Sequence, residues 1–419
     1  MLLIKNGRVI DPSSGFDTEC DILVEEGRIA KIQRDITPAN NYEVIDASGK
    51  VVAPGLIDCH VHFREPGYEY KETIETGSRA AAKGGFTAVI CEPNTKPPID
   101  TLEIIKALML RAQHDSIINL YTKACITEGS KSEKLPDIKA LSSHERMVAL
   151  SDDGNPVCTQ ELMLHAFELA AECNIPISPH CEDSAFSLEK RLSGQYQGFS
   201  PAPPYSNETN FIIRDIGCAE NVHGRIHVSH VSMASSFDVI RAAKDRGKAR
   251  VSCEITPHHL LLDENFVDLS NRRPKTNPPM RSKEDLEAAK KAIADGTVDV
   301  IATDHAPHTT EEVLAGTGGL VGLETALGLI LTKLVHPGII SIKDAIMKMS
   351  TNPANIFGLN AGSLAVGMPA DITIIDMDKE WTVDVTEFES KSRNSPFLGW
   401  QLKGKAAATI VGGKVVMQQ

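Results

Sequence analysis

Two histidines two residues apart, His60 and His62, sit in the stretch GLIDCHVHFREPG, from Gly55 to Gly67. The run Leu56–Phe63 reads as a short buried strand ending in a polar loop. Residues i and i+2 of a strand face the same way, so both imidazoles aim at one point. Two convergent imidazoles on a rigid strand make half of a site for a divalent metal such as zinc. Arg64 follows at once, and a guanidinium suits bidentate capture of a carboxylate. An edge strand can carry two histidines by chance, so the remainder of the chain decides.

The elements that would position these residues alternate. Eight apolar runs read as strands: Leu56–Phe63, Phe86–Cys91, Ile118–Cys125, Met147–Leu150, Ile175–Pro179, Arg225–Ser229, Arg250–Ile255 and Val298–Thr303. Helical patterns lie between most of them, including Glu72–Lys83, Leu102–Gln113, Gln160–Cys173, Thr209–Glu220, Ala234–Arg246 and Lys283–Ala294, with Gly322–Val335 after the last. Strands alternating with helices at about 30 residues per unit predict a parallel (β/α)8 TIM barrel, spanning 54–359. Short strand-like segments with Gly-containing turns fill 1–53 and return over 360–419. They predict one small β-sandwich domain built from both termini. The irregular stretch Leu192–Asn207 suits an active-site loop.

Barrel enzymes place their chemistry at the C-terminal ends of the strands. Those ends carry His60, His62 and Arg64; Glu92-Pro93-Asn94; Asp152 and Asp153; His180; His230; His258 and His259; and Asp304, His305 and His308. Random placement of fourteen histidines would not cluster so many there. His114, His144, His165, His223 and His336 lack a partner in register and read as surface or packing residues. His227 reads as barrel wall, and His258, His259 and His305 as groups that orient a ligand. Four histidines and two aspartates are enough for two metals, with Asp153 as the bridge. A hydroxide bridging two zinc ions would be a nucleophile near neutral pH. The strand-8 carboxylate Asp304 would move its proton to a leaving nitrogen. The chemistry is metal-assisted hydrolysis, or its reverse, at a carbonyl or phosphoryl centre.

The bulk composition narrows the partners. The net charge of −13 disfavours nucleic acid and anionic membranes. No apolar run reaches about 18 residues, so no transmembrane helix is expected, and the N-terminus reads as a strand and turn and not as a signal peptide. Nine scattered cysteines without a CxxC motif fit free thiols in a reducing cytoplasm. Cys59 and Cys181 read as packing behind the site.

The motifs HVHFREPG, EPNTKP, SDDG, HCED, TPHHL, RPKTNPPMRS and TDHAPH together resemble the dihydroorotases, in the bacterial type I branch of the amidohydrolase superfamily. The likeness covers essentially the whole chain. It implies reversible cyclisation of N-carbamoyl-L-aspartate to L-dihydroorotate, in pyrimidine synthesis. It implies two zinc ions, one on His60, His62 and Asp304, the other on His180 and His230, with Asp153 as bridge and Asp152 as its neighbouring rival. Asp304 matches the catalytic acid/base. His62, Arg64, Asn94, Asn277 and His308 match substrate contacts, with Arg64 on the α-carboxylate. The resemblance also implies a homodimer.

Two stretches depart from the family. EPNT stands where MPNT is usual, placing Glu92 near an anionic substrate. The segment after His308 is short and Gly-rich, and the backbone of Gly318 and Gly319 would replace a Pro-Phe-Gly contact there. A loop over 309–322 could close on substrate. The alternatives are an allantoinase or hydantoinase, whose neutral substrate has no need of Arg64, and a chain competent only in complex with aspartate transcarbamoylase. An inactive structural partner of that enzyme would have lost metal ligands, and this chain keeps all six.

Overall fold

The computed structural model describes residues 1–182, 207–270 and 272–419. Within the expected active-site loop, residues 192–206 lie outside the described residues.

Five strands open the chain: β1 (Leu2–Asp11), β2 (Phe16–Glu25), β3 (Arg28–Gln33), β4 (Glu43–Asp46) and β5 (Val51–Pro54). Seven more belong to the barrel: β6 (Leu56–Val61), β7 (Phe86–Cys91), β8 (Asn119–Ala124), β9 (Met147–Leu150), β10 (Arg225–Val228), β11 (Arg250–Ile255) and β12 (Val300–Ile301). Three close the chain: β13 (Ile372–Thr382), β14 (Gln401–Val411) and β15 (Lys414–Gln418).

The barrel strands pair in parallel from β6 through β9 and from β10 through β12. Single parallel bridges complete the circuit: Ile177 with Leu150 and Ile226, and His305 with Val61. β6 and β7 are buried at every position, as expected of parallel strands covered on both faces.

The fifth strand, expected over Ile175–Pro179, shrinks to the bridge at Ile177. Pro176 and Pro179 flank it and have no N–H to give the ladder. Ile177 and Ser178 do donate, to Arg225 and Leu150 at 3.0 and 2.7 Å. The eighth strand is also shorter than expected. The Asp58 carboxylate takes the N–H of Thr303 at 3.2 Å, which turns the chain there. The helix expected over Gly322–Val335 runs from Ala326 to Ile330 and widens into a π turn over Leu331–Val335. Thr332 Oγ bonds back to the Gly328 carbonyl, and Lys403 N donates to that oxygen, so strand β14 widens the turn.

Both termini share one sheet in the order β15-β14-β13-β5-β1-β2-β3, with β4 pairing in parallel with Leu2–Lys5 of β1. β5 is the seam, parallel to β1 and antiparallel to β13. This sheet has its own core of Leu2, Ile4, Ile22, Val52, Ile372 and Ile410. All nine cysteines are free. Among the described residues no helix is long and apolar enough to cross a membrane.

Candidate metal centre

The six expected ligands meet at one end of the barrel, and all six are buried. His60 Nε2 lies 3.4 Å from Asp153 Oδ1 and 3.7 Å from Asp304 Oδ1. His62 Nε2 lies 3.1 Å from Asp304 Oδ1 and 3.5 Å from Asp153 Oδ2. On the other side, His180 Nδ1 and His230 Nε2 lie 3.2 and 3.5 Å from Asp153 Oδ1, and 2.9 Å from each other. Nitrogen and oxygen ligands around a tetrahedral zinc stand about 3.3 Å apart, given bonds of about 2.0–2.1 Å. His60, His62 and Asp304 are close enough together to hold a metal ion, and so are His60, Asp153 and His230. His60 Nε2 is fully buried and has no hydrogen-bond partner among the described residues. A buried nitrogen of that kind suits a metal ligand.

The electrostatics agree with this fit. Burial pushes the Asp153 carboxyl up, but the surrounding imidazoles of His180, His230 and His60 outweigh it and hold the group well below the usual range. Burial also opposes ionisation of Asp304, yet His62 and the charges of His60 and His230 bring it to about 2. Both stand as carboxylates at neutral pH. Asp152 faces away. It accepts from Ile126 N at 2.8 Å, Thr127 N at 3.2 Å and the Thr127 hydroxyl, and burial raises it to about 7.

Backbone strain marks the same place. Arg64, His230 and Asp304 adopt φ of 62°, 33° and 49°, a region that L-residues avoid unless the surroundings impose it.

Two partners fix the ring orientations. His60 Nδ1 donates to Glu254 Oε1 at 2.6 Å, which turns Nε2 toward the cluster. Glu254 also accepts from His230 N at 3.2 Å, from His227 Nε2 at 3.0 Å and from the Cys59 thiol at 3.0 Å. Cys59, His227 and Glu254 are close enough to ligate an ion themselves. Their mutual hydrogen bonds account for that proximity. Asn94 Oδ1 accepts from His62 Nδ1 at 2.9 Å, and its Nδ2 reaches Asp153 Oδ2 at 3.2 Å. The expected substrate contact Asn94 thus holds two of the expected ligands, His62 and Asp153.

The other expected contacts are also held by hydrogen bonds. The Asn277 amide meets His180 Nε2 at 3.1 Å. Arg64 donates to the Pro307 carbonyl and to His308 Nε2, both at 3.2 Å. Burial and the charges of Arg64 and Lys71 push His308 down to about 4, so it is neutral, and Nδ1 donates to Glu312 Oε2 at 3.2 Å. Lys71 Nζ pairs with Glu312 Oε1 at 2.9 Å.

Gly319 packs against His308. Its φ is +140°, and a Cβ there would stand 2.8 Å from the His308 ring and 2.7 Å from the Ala306 carbonyl, so only glycine fits. Its N–H goes to the Lys275 carbonyl at 2.9 Å, and its carbonyl takes the Asn394 amide. Gly318 abuts Lys275. The loop after His308 holds a short helix, Thr310–Leu314, capped by Thr309 and Glu312.

His259 bonds Thr256 and the Pro278 carbonyl, and His305 faces Glu72. His258 Nε2 is buried without a partner among the described residues. Of the five histidines read as surface or packing residues, His114, His165, His223 and His336 are exposed and His144 is half-buried.

Sequence reasoning missed Glu254, Lys123, Lys71 and Glu312. The first two left a signal, a charge near the buried C-terminal end of the strand runs RVSCEI and NLYTKA. Glu312 stands four residues after His308, one helical turn away.

A sequence model of the amidohydrolase family matches residues 51–416. A dihydroorotase from Citrifermentans bemidjiense is 44% identical, covering 100% of this chain and 99% of its own. One from Pelotomaculum thermopropionicum is 46% identical over 100% of this chain and 98% of its own. Among solved structures, an L-hydantoinase (dihydropyrimidinase) from Arthrobacter aurescens superposes with a TM-score of 0.87 at 27% identity, covering 100% of this chain and 96% of that one. The chain belongs to the amidohydrolase family and groups within it with the dihydroorotases.

Proposed function

We propose that this chain is a zinc-dependent dihydroorotase, interconverting L-dihydroorotate and N-carbamoyl-L-aspartate. The carrying observation is the six-residue cluster with Arg64 at its rim, supported by full-length likeness to dihydroorotases. His60, His62 and Asp304 would hold one zinc, His180 and His230 the other, and Asp153 would lie between. Bound zinc would polarise the ring carbonyl and bring the pKa of a water toward about 7.

The chain's own residues supply the remainder. Arg64 is half-buried and already held by Pro307 and His308, so it can meet the substrate's α-carboxylate with little ordering cost. Asp304 is ionised and can accept a proton from the attacking water. It delivers that proton to the ring nitrogen as the C–N bond breaks. His62, Asn94, Asn277 and His308 enclose the substrate, and Gly319, its own backbone held by Lys275 and Asn394, backs His308. The same reading carries a cytoplasmic homodimer, in line with the free thiols.

Likeness to hydantoinase structures favours a second reading, hydrolysis of a neutral cyclic amide. The deciding experiment is turnover by the purified, zinc-restored chain of L-dihydroorotate against hydantoin. Preference for dihydroorotate supports the first reading and preference for hydantoin the second. Zinc-loaded protein inactive on both would point to a required partner such as aspartate transcarbamoylase.

A further inference from the structure

Glu92 and Lys123 form an ion pair inside the barrel, and neither residue has a place in the chemistry above. Their meeting follows from register. β7 and β8 are parallel with Ile90 opposite Tyr121 and Cys91 opposite Thr122, so the next pair is Glu92 and Lys123. Lys123 Nζ contacts Glu92 Oε1 and donates to Ser178 Oγ at 3.0 Å. Both side chains are fully buried.

The pair is an expensive way to fill this space, because two charges lose their hydration. Apolar side chains of similar volume would cost less. The geometry shows what Glu92 faces besides Lys123. Its Oε1 lies 3.7 Å from His60 Nε2, the orphaned ring nitrogen of the ligand cluster. Apart from its contact with Lys123, the Glu92 carboxylate takes no hydrogen bond among the described residues. A buried carboxylate held by Lys123 alone thus faces a buried imidazole nitrogen without a partner, which itself stands beside Asp153 and Asp304.

We propose that Glu92 is an additional carboxylate directed at the cation position of His60, and that Lys123 is the counter-ion that sets how much negative charge it offers there. The proposal rests on the two-zinc reading above. Glu92 offsets a lysine that would otherwise repel a cation, and Lys123 keeps Glu92 from binding the cation too tightly to leave its chemistry free. Both act as positioning residues through the metal site.

The opposite signs of the two charges give the test. Apo protein is prepared with a chelator and titrated with zinc against a competing chelator, and stoichiometry is read by elemental analysis. Glu92→Gln leaves Lys123 unpaired and should weaken zinc binding by at least about tenfold. Lys123→Met leaves Glu92 unpaired and should tighten it by at least about tenfold. The double variant, Glu92→Met with Lys123→Met, should return to within about threefold of the wild type. Singles that both weaken binding, or leave it unmoved, overturn the proposal, since packing damage has no sign. Should Lys123→Met fail to fold, the remaining pair decides. Recovery in the double variant supports the proposal, and weakness equal to that of Glu92→Gln overturns it. Wild-type protein that binds no zinc overturns the metal reading itself, and this proposal with it. Two zincs per wild-type chain with unmoved variants overturn this proposal alone.

Discussion

The two sides of the cleft are built differently. The floor stands on strand ends, with His60, His62, Asp153, His180, His230 and Asp304 all buried and cross-bonded through Glu254 and Asn94. The wall stands on loops. Arg64, Lys71, His308 and Glu312 form a chain of ion pairs and hydrogen bonds along the rim, with Glu312 28% exposed. Gly319 is held there by Lys275 and Asn394, residues far away in sequence. Strand ends fix positions by the sheet ladder, whereas loop contacts rest on a few side chains that can rearrange. The floor should therefore govern metal and kcat, and the wall substrate affinity.

The largest break expected in that division is at the floor. His180→Ala removes a nitrogen from the set around Asp153 and should lower kcat by at least about a thousandfold, together with zinc content. Steady-state kinetics with metal analysis checks it. Full activity would mean that the second ligand set is dispensable. Glu254→Gln should cost about 10–100-fold in zinc affinity, since an imidazole that loses its orienting carboxylate binds metal less well. Chelator competition reads that loss. An unchanged affinity would leave Glu254 a barrel-filling residue.

Arg64→Ala sharpens the comparison from the other side. It should raise KM for dihydroorotate by about tenfold to a hundredfold, roughly 1.4–2.8 kcal/mol, as a carboxylate loses a charged partner. Zinc content should stay at the wild-type level. A lower zinc content with unchanged KM would place Arg64 with the floor.

The same division governs what could be read without coordinates. The floor was legible because the strand period is two and barrel chemistry gathers at strand ends, so HVH and TDHAPH declared themselves. The preference for Asp153 over Asp152 had no physical ground in the sequence, because that depends on where β9 stops and on Thr127 and Ile126 capturing Asp152. Strand β5 was hidden because Val51–Pro54 runs on into the barrel's first strand, and only its pairing with β13 separates the two. The prolines of the fifth strand were visible, but their shortening of it to Ile177 takes effect only in the ladder. The wall was least legible. What Gly319 does depends on Asn394, seventy-five residues later, and no local pattern announces that contact.

The smallest effect tests how the wall is held. The pull of Lys71, Thr309 N and His308 overcomes burial and brings Glu312 from an ordinary 4.5 to about 2. A depressed carboxylate adds stability that is fully present above the unfolded value and is lost as pH falls through the folded one. Glu312→Gln should therefore destabilise the chain by less than about 1 kcal/mol at pH 7, given the screening at this rim position. The gap between the two proteins should be unchanged down to about pH 5 and narrow between about pH 4.5 and pH 2. KM should rise only severalfold, because His308 is neutral above about pH 4 with or without its carboxylate partner and loses orientation alone. Paired thermal melts across that range read the gap. A gap that stayed constant into acid would show that Glu312 holds the wall by packing and hydrogen bonding, with its charge contributing nothing.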